Sequence, residues 1–199
     1  MSPGAAERFG GIGLLVNNAG VPGPHGPLWE TSDTDWWRAM EVNLHATART
    51  MHAAAPAMLA RGGQGRVINI VSAAGRRTWP GASAYSVSKA AVIKLTENFA
   101  REVRGQGITA FAFHPGVLDL GMTADHLARG QVGDPAADRI WTWLRDERDA
   151  GRFTAMDRTL HAFVLLADGT ADALSGQYLT PDDIIDCTGS AARPQMPGP

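Results

Sequence analysis

Three short apolar runs at 12–17, 66–71 and 108–113 are separated by long helix-forming stretches. That alternation restricts the fold more than any other feature of the chain. The run Arg66-Val67-Ile68-Asn69-Ile70-Val71 is β-branched and shows no apolar/polar alternation. A strand without a polar face must be covered on both sides, and such strands belong to parallel sheets. Ile108-Thr109-Ala110-Phe111-Ala112-Phe113 reads the same way. Parallel neighbours need crossover connections, usually helical, and the intervening segments are long enough to supply them. The expected fold class is therefore α/β: a doubly wound parallel sheet with helices on both faces.

The punctuation fits. Ser32 or Asp33 caps a helix expected over 35–61, which Gly62-Gly63-Gln64-Gly65 stops. A second long helix is expected from Ser83 to Arg104, between a loop at 73–80 and the glycines at 105 and 107. Residues 120–155 read as a polar helical insertion, 159–167 as a helix and 177–180 as a last short strand. The chain turns polar from Pro181, so 1–188 is expected to form one domain and 189–199 a disordered tail. With 199 residues the chain can bury a real core, and its formal net charge of −2 gives no electrostatic footprint for nucleic acid. No apolar run approaches the roughly 18 residues of a membrane span, and the first residues lack a signal peptide's apolar stretch. The single cysteine, Cys187, excludes an internal disulfide, fits a reducing cytoplasm and reads as an incidental thiol in a polar tail. No metal site is expected.

Ligands of such sheets bind at the carboxyl ends of the strands. The polar residues there are Asn17, Ser72 and His114, each followed by a turn. His114 reads as structural. Just beyond Ser72, Tyr85 is followed four residues later by Lys89. On a helix these share a face, and a nearby ammonium favours phenolate, drawing a tyrosine toward proton exchange near neutral pH. Taken alone, the pair reads more simply as a half-buried aromatic beside a solvated lysine on an amphipathic helix.

Asn17-Asn18-Ala19-Gly20 after the first strand, Ser72 after the second, Tyr85 and Lys89 opening the next helix and Pro115-Gly116 after the third strand together resemble the short-chain dehydrogenase/reductase family over residues 9–178. The resemblance implies a Rossmann-like fold and an NAD(P)-dependent oxidoreductase interconverting an alcohol and a carbonyl. It makes Tyr85 the acid/base, and has Lys89 lower the phenol pKa and hold the nicotinamide ribose. Ser72, thirteen residues before Tyr85, would orient the substrate oxygen, and Asn43 would support a proton-relay water. Asn17, Ala19 and Gly20 would lie by the adenosine-side ribose and steady the sheet. Pro115, Gly116 and Val117 would approach the nicotinamide. The bland alternatives are a turn residue at Asn17, a backbone-satisfied polar group at Asn43 and a strand-end cap at Ser72. The resemblance also implies a homodimer or homotetramer through helices 35–61 and 83–104. Substrate identity and the choice of NAD or NADP are not legible. Trp79, Trp141, Trp143 and Phe153 suit a bulky pocket or core packing equally.

Two departures stand out. Leu120 occupies the position where the family has a threonine four residues after the Pro-Gly glycine, so weaker cofactor binding is expected. Moreover, Asn17 comes too early for the family's opening strand, Gly-rich turn and helix to precede it, and Gly10-Gly11-Ile12-Gly13 leads into a strand instead of following one. The fold is thus expected to be N-terminally truncated, lacking most of the cofactor-binding half and leaving strand 12–17 as an exposed edge. A start placed downstream of the natural one is the favoured explanation; a decayed remnant and a partner-completed sheet are the others. The alternative function is a non-catalytic truncated relative that acts by dimerisation or needs a partner to complete the sheet.

Overall fold

The computed structural model describes residues 8 and 10–189. Four parallel strands, β1 (Leu14–Asn17), β2 (Gly65–Ile70), β3 (Ile108–Phe113) and β4 (Tyr178–Leu179), lie side by side in chain order. Asn17 pairs with Asn69, and Ile70 with Phe113, so the carboxyl ends of β1, β2 and β3 form one rim.

Helices cover both faces of the sheet, which is why β2 and β3 are mostly apolar on both sides. Val67 and Ala110 face α2 (Ala46–Ala60) and α3 (Ser83–Glu102), packing with Met51, Ala54, Met58 and Val103. Ile68, Phe111 and Phe113 face the other way, against Leu166 of α6 (Met156–Asp168) and Ile184 of α7 (Pro181–Thr188). Phe111 and Phe113 are almost wholly buried, and truncating either to alanine typically costs about 3–5 kcal/mol. On the edge strand β1, Leu14 and Val16 remain 40% and 39% exposed.

The helix expected over 35–61 is not continuous. α1 (Asp33–Met40), capped by the Ser32 hydroxyl accepting from Asp35 N, passes into a π turn at Glu41–His45 before α2 begins. The wider turn brings Asn43 to full burial. π turns of this kind concentrate at functional sites. Pro56 lies inside α2, where it lacks a backbone donor. The insertion at 120–155 forms α4 (Gly121–Arg129) and α5 (Pro135–Asp149).

The segment that turns polar at Pro181 is a helix. Thr180 and Asp183 form a reciprocal capping box with Pro181 in the first turn, which starts α7, and α7 buries Ile184 completely. Cys187 is exposed on that helix. The tail expected at 189–199 lies, apart from Gly189, outside the described residues. No described helix is long and apolar enough to cross a membrane.

Candidate active site

β2 ends at Ile70, and Val71 N still donates to Phe113 O at 2.9 Å, which holds Ser72 at the rim. Ser72 is extended, and its hydroxyl accepts from Ala74 N to start a single 3-10 turn over Ala73–Gly75. That turn rests on α3. A Cβ on Gly75 would sit 2.8 Å from backbone atoms of Lys89 and Ala90, so only glycine allows this approach. The contact carries Ser72 to the start of α3, where Tyr85 lies in the first turn and Lys89 one turn on.

Lys89 is 5% exposed, and its ammonium donates to Ile70 O at 2.8 Å and lies 5.7 Å from the Tyr85 ring centroid. Burial pushes the Tyr85 phenol up from 10.0, and a hydrogen bond with the Ser72 hydroxyl offsets part of the rise. Burial alone pushes Lys89 down from 10.5 to about 8. The expectation that Lys89 draws the phenol toward neutrality is thereby corrected. Both groups have lost water, and that loss disfavours the charged form of each. Tyr85 is held as a protonated phenol, the form that gives up a proton.

Asn43 braces the arrangement. Its Oδ1 accepts from Val21 N at 2.8 Å, and its Nδ2 donates to Val21 O at 2.9 Å and Ser88 Oγ at 3.0 Å. Ser88 Oγ in turn donates to Tyr85 O at 2.8 Å. Both amide protons are used, so the side chain ties the loop after β1 to the tyrosine-bearing turn. A Cβ on Gly20, in that loop, would lie 3.4 Å from Asn43 Oδ1 and 3.5 Å from Lys89 Nζ, which places Gly20 beside the site. Ala19 is exposed next to it.

Asn17 points elsewhere. Its Nδ2 donates to Asn69 Oδ1 at 2.7 Å and its Oδ1 accepts from Thr50 Oγ1 at 2.6 Å, while buried Asn69 donates to Thr96 Oγ1 at 2.9 Å. This polar ladder fastens β1 and β2 to α2 and α3. Asn69 and Thr96 escaped the sequence analysis, although an asparagine inside an apolar strand was a usable signal.

After β3 the chain turns at Pro115-Gly116-Val117. Pro115 O accepts from Thr159 Oγ1 at 2.8 Å, and Val117 O accepts from Thr154 N at 2.8 Å. Gly116 has φ +87°, and a Cβ there would meet Thr154 Oγ1 at 1.9 Å, so the turn both requires glycine and packs on a threonine that sequence reasoning did not single out. Leu120 is 46% exposed and occupies the N-cap of α4 with no side-chain cap. Leu120→Thr should therefore stabilise α4 by about 0.5–1 kcal/mol even without any ligand. A thermal midpoint that rises in the apo protein separates this capping gain from tighter cofactor binding, and an unchanged midpoint contradicts it.

His114 stands at the end of β3, stacked on Tyr178 at 6.1 Å, with its Nδ1 buried and lacking a hydrogen-bond partner among the described residues. Burial first, and the Arg77 charge second, push it down from 6.5 to about 4. The unfolded chain therefore binds a proton between pH 6.5 and 4 that the folded chain refuses. This contribution to stability is intact above 6.5 and fades as pH falls toward 4. Its ceiling is about 3 kcal/mol. His114→Leu should show a smaller drop in thermal midpoint between pH 7 and pH 5 than the parent, and equal drops would contradict this account.

The aromatic residues of the insertion close on the loop that follows Ser72. Trp79 meets Trp143 of α5 edge-on at 5.0 Å, and Trp141 Nε1 donates to Leu127 O at 3.1 Å. A separate cleft of about 490 Å³, lined by Arg101, Ile108 and Thr109, lies at the amino end of β3, away from this site.

A family model described as short chain dehydrogenase matches residues 1–129. A short chain dehydrogenase of Monascus purpureus is 38% identical over 155 residues, covering 74% of this chain and 52% of that protein. A 4-formylbenzenesulfonate dehydrogenase of Comamonas testosteroni is 32% identical over 179 residues, covering 89% of this chain and 68% of that protein. The crystal structure of an actinorhodin polyketide ketoreductase variant with NADPH matches with a TM-score of 0.75 and 29% identity, over 88% of this chain and 67% of that one. An NAD+-bound xylitol dehydrogenase, at 24% identity and a TM-score of 0.74, shares the fold. The chain spans about half the length of most of the curated relatives it matches.

Proposed function

The chain belongs to the short-chain dehydrogenase family, and from that premise we propose that it carries the reacting centre of an NAD(P)-dependent oxidoreductase interconverting an alcohol and a carbonyl. The observation that carries this reading is the meeting of Ser72, Tyr85 and Lys89 through the close contact of the Ala73–Gly75 turn with α3. In the reducing direction Tyr85 Oη gives its proton to the carbonyl oxygen, while the Ser72 hydroxyl donates a second hydrogen bond to that oxygen and fixes its position. In the oxidising direction the phenol takes the proton back. Asn43 acts through Ser88 and Val21 as a positioning residue; the relay water expected beside it belongs to the same proposal.

The residues present fit the nicotinamide end of a dinucleotide. The Lys89 ammonium has three donors, and Ile70 O takes one. The remaining two suit vicinal ribose hydroxyls, and Gly20 leaves the approach free of a side chain. Ala19 on the ribose side and Pro115, Gly116 and Val117 by the nicotinamide complete the proposed contacts, while the Asn17 side chain, expected at the ribose, serves the sheet. When bound, the cofactor supplies or receives the hydride. Either NAD or NADP is proposed, since the similar structures hold NADPH in one case and NAD+ in another. A cytoplasmic homodimer or homotetramer pairing through α1–α2 and α3 is part of the same reading.

The test is oxidation of NADH or NADPH by the purified protein with a panel of aldehydes and ketones, alongside cofactor titration by calorimetry. Carbonyl-dependent oxidation is expected. Cofactor binding with no turnover on any carbonyl would overturn the oxidoreductase reading.

A further inference from the structure

The 3-10 turn that presents Ser72 ends in two adjacent arginines. Gly75 N donates to Ser72 O, and Arg76 N and Arg77 N both donate to Ala73 O, each at 3.0 Å. The backbone thus fixes both residues one short turn from the serine. Both are exposed, and among the described residues neither guanidinium forms an ion pair. The Arg76 guanidinium lies over the Tyr178 ring at 4.8 Å, and that ring stacks on His114, the rim residue of the neighbouring strand. Charge from both arginines reaches the Tyr178 phenol, and charge from Arg77 reaches His114. The acidic group that also reaches Tyr178, Asp183, is committed to Thr180, whose N and Oγ1 donate to it at 2.8 and 2.7 Å.

We infer that Arg76 and Arg77 receive an anionic group of the substrate, a carboxylate, sulfonate or phosphate, and so orient its reacting carbon toward Ser72 and Tyr85. The inference rests on the oxidoreductase reading of that site. Two consecutive arginines without an ion pair leave positive charge uncompensated beside the rim, and an oxyanion would neutralise it. Guanidiniums bind such groups in planar, two-pronged fashion, which fixes direction as well as affinity. His114 is neutral near pH 7, so it adds no competing charge. The Trp79–Trp143 contact walls the same loop.

Two probes of nearly equal shape test this: 4-carboxybenzaldehyde, an anion, and its neutral methyl ester. Binding is read from tryptophan fluorescence, independently of turnover, and NAD(P)H oxidation is followed in parallel. The parent protein should bind the acid at least about tenfold more tightly than the ester, which corresponds to about 1.4 kcal/mol. Arg76→Gln and Arg77→Gln should each reduce that preference, and the double variant should erase it with ester binding unchanged. Both side chains are exposed, so the variants should fold, and circular dichroism checks that they do. Equal binding of acid and ester by the parent overturns the inference, as does a preference that survives in the double variant. So does a double variant that loses NADP+ affinity while keeping its acid preference, which would make the cofactor phosphate the anion held. Turnover of both probes without discrimination sinks this inference alone, whereas discrimination without any hydride transfer sinks the oxidoreductase reading and, with it, the assignment of the anion to a substrate.

Discussion

Tyr85→Phe is expected to abolish turnover while leaving the fold intact. The substitution keeps the ring in its place at the start of α3 and deletes only the hydroxyl. Because the Tyr85 pKa lies above its ordinary value, the phenol stays protonated throughout the neutral range, the form that the proposed proton-donor role requires. Loss of a positioned proton donor commonly costs a hundred- to ten-thousand-fold in rate, so kcat should fall by about that factor. The structural cost is small by comparison: one hydrogen bond with Ser72, roughly 1 kcal/mol. The pH profile adds a sign. Carbonyl reduction should not fall for want of a protonated phenol until the pH passes the raised value, whereas alcohol oxidation, which needs the phenolate, should rise with pH. A Phe variant retaining parental kcat, with an unchanged circular dichroism spectrum, would remove Tyr85 from the chemistry.

Lys89→Met should separate stability from function. Below about pH 8 the folded protein keeps a buried ammonium whose pKa has dropped from 10.5. The unfolded chain holds that proton more readily, so the group opposes folding below about 8, and the opposition fades as pH rises from about 8 to 10.5. The full penalty is at most about 3 kcal/mol. Against this, methionine leaves Ile70 O without its partner, which costs roughly 1–2 kcal/mol. The two effects nearly cancel, with a net gain of about 1 kcal/mol at pH 7 that should shrink above pH 8. Function has no such compensation. The two unused ammonium donors vanish, and cofactor affinity should fall about tenfold or more, with turnover falling further. A variant that unfolds several kcal/mol more easily than the parent would show that the ammonium is structural. Parental cofactor affinity would show that it holds no ligand.

Much of this site was legible from the residues. Ser72, Tyr85 and Lys89 are separated along the chain, yet each sits at a position that local rules fix: a strand end, and the first two turns of a helix. Strand and helix order followed from apolar runs and glycine stops, and β3 lies at 108–113 as expected. The failures have specific causes. The π turn at Glu41–His45 has no pattern of its own, because it arises when buried Asn43 reaches Val21 and Ser88 across space. α7 was missed although Thr180-Pro181-Asp182-Asp183 spells its start, since the polar residues of a capping box look like those of a tail. Thr154 could not be connected to Gly116, because nothing in a linear chain says which loop will pack on which.

The sequence by itself determined the alternation of strands and helices, the parallel sheet and the candidate reacting residues, since these depend on periodicity and near-neighbour spacing. The tertiary structure alone decided their chemical state. Whether Lys89 lowers the Tyr85 pKa or burial raises it depends on how much water each group loses, and here burial prevails for both. It alone decided, too, that Asn17 braces the sheet while Asn43 braces the site, because a side-chain amide takes its role from the partners that folding brings within about 3 Å.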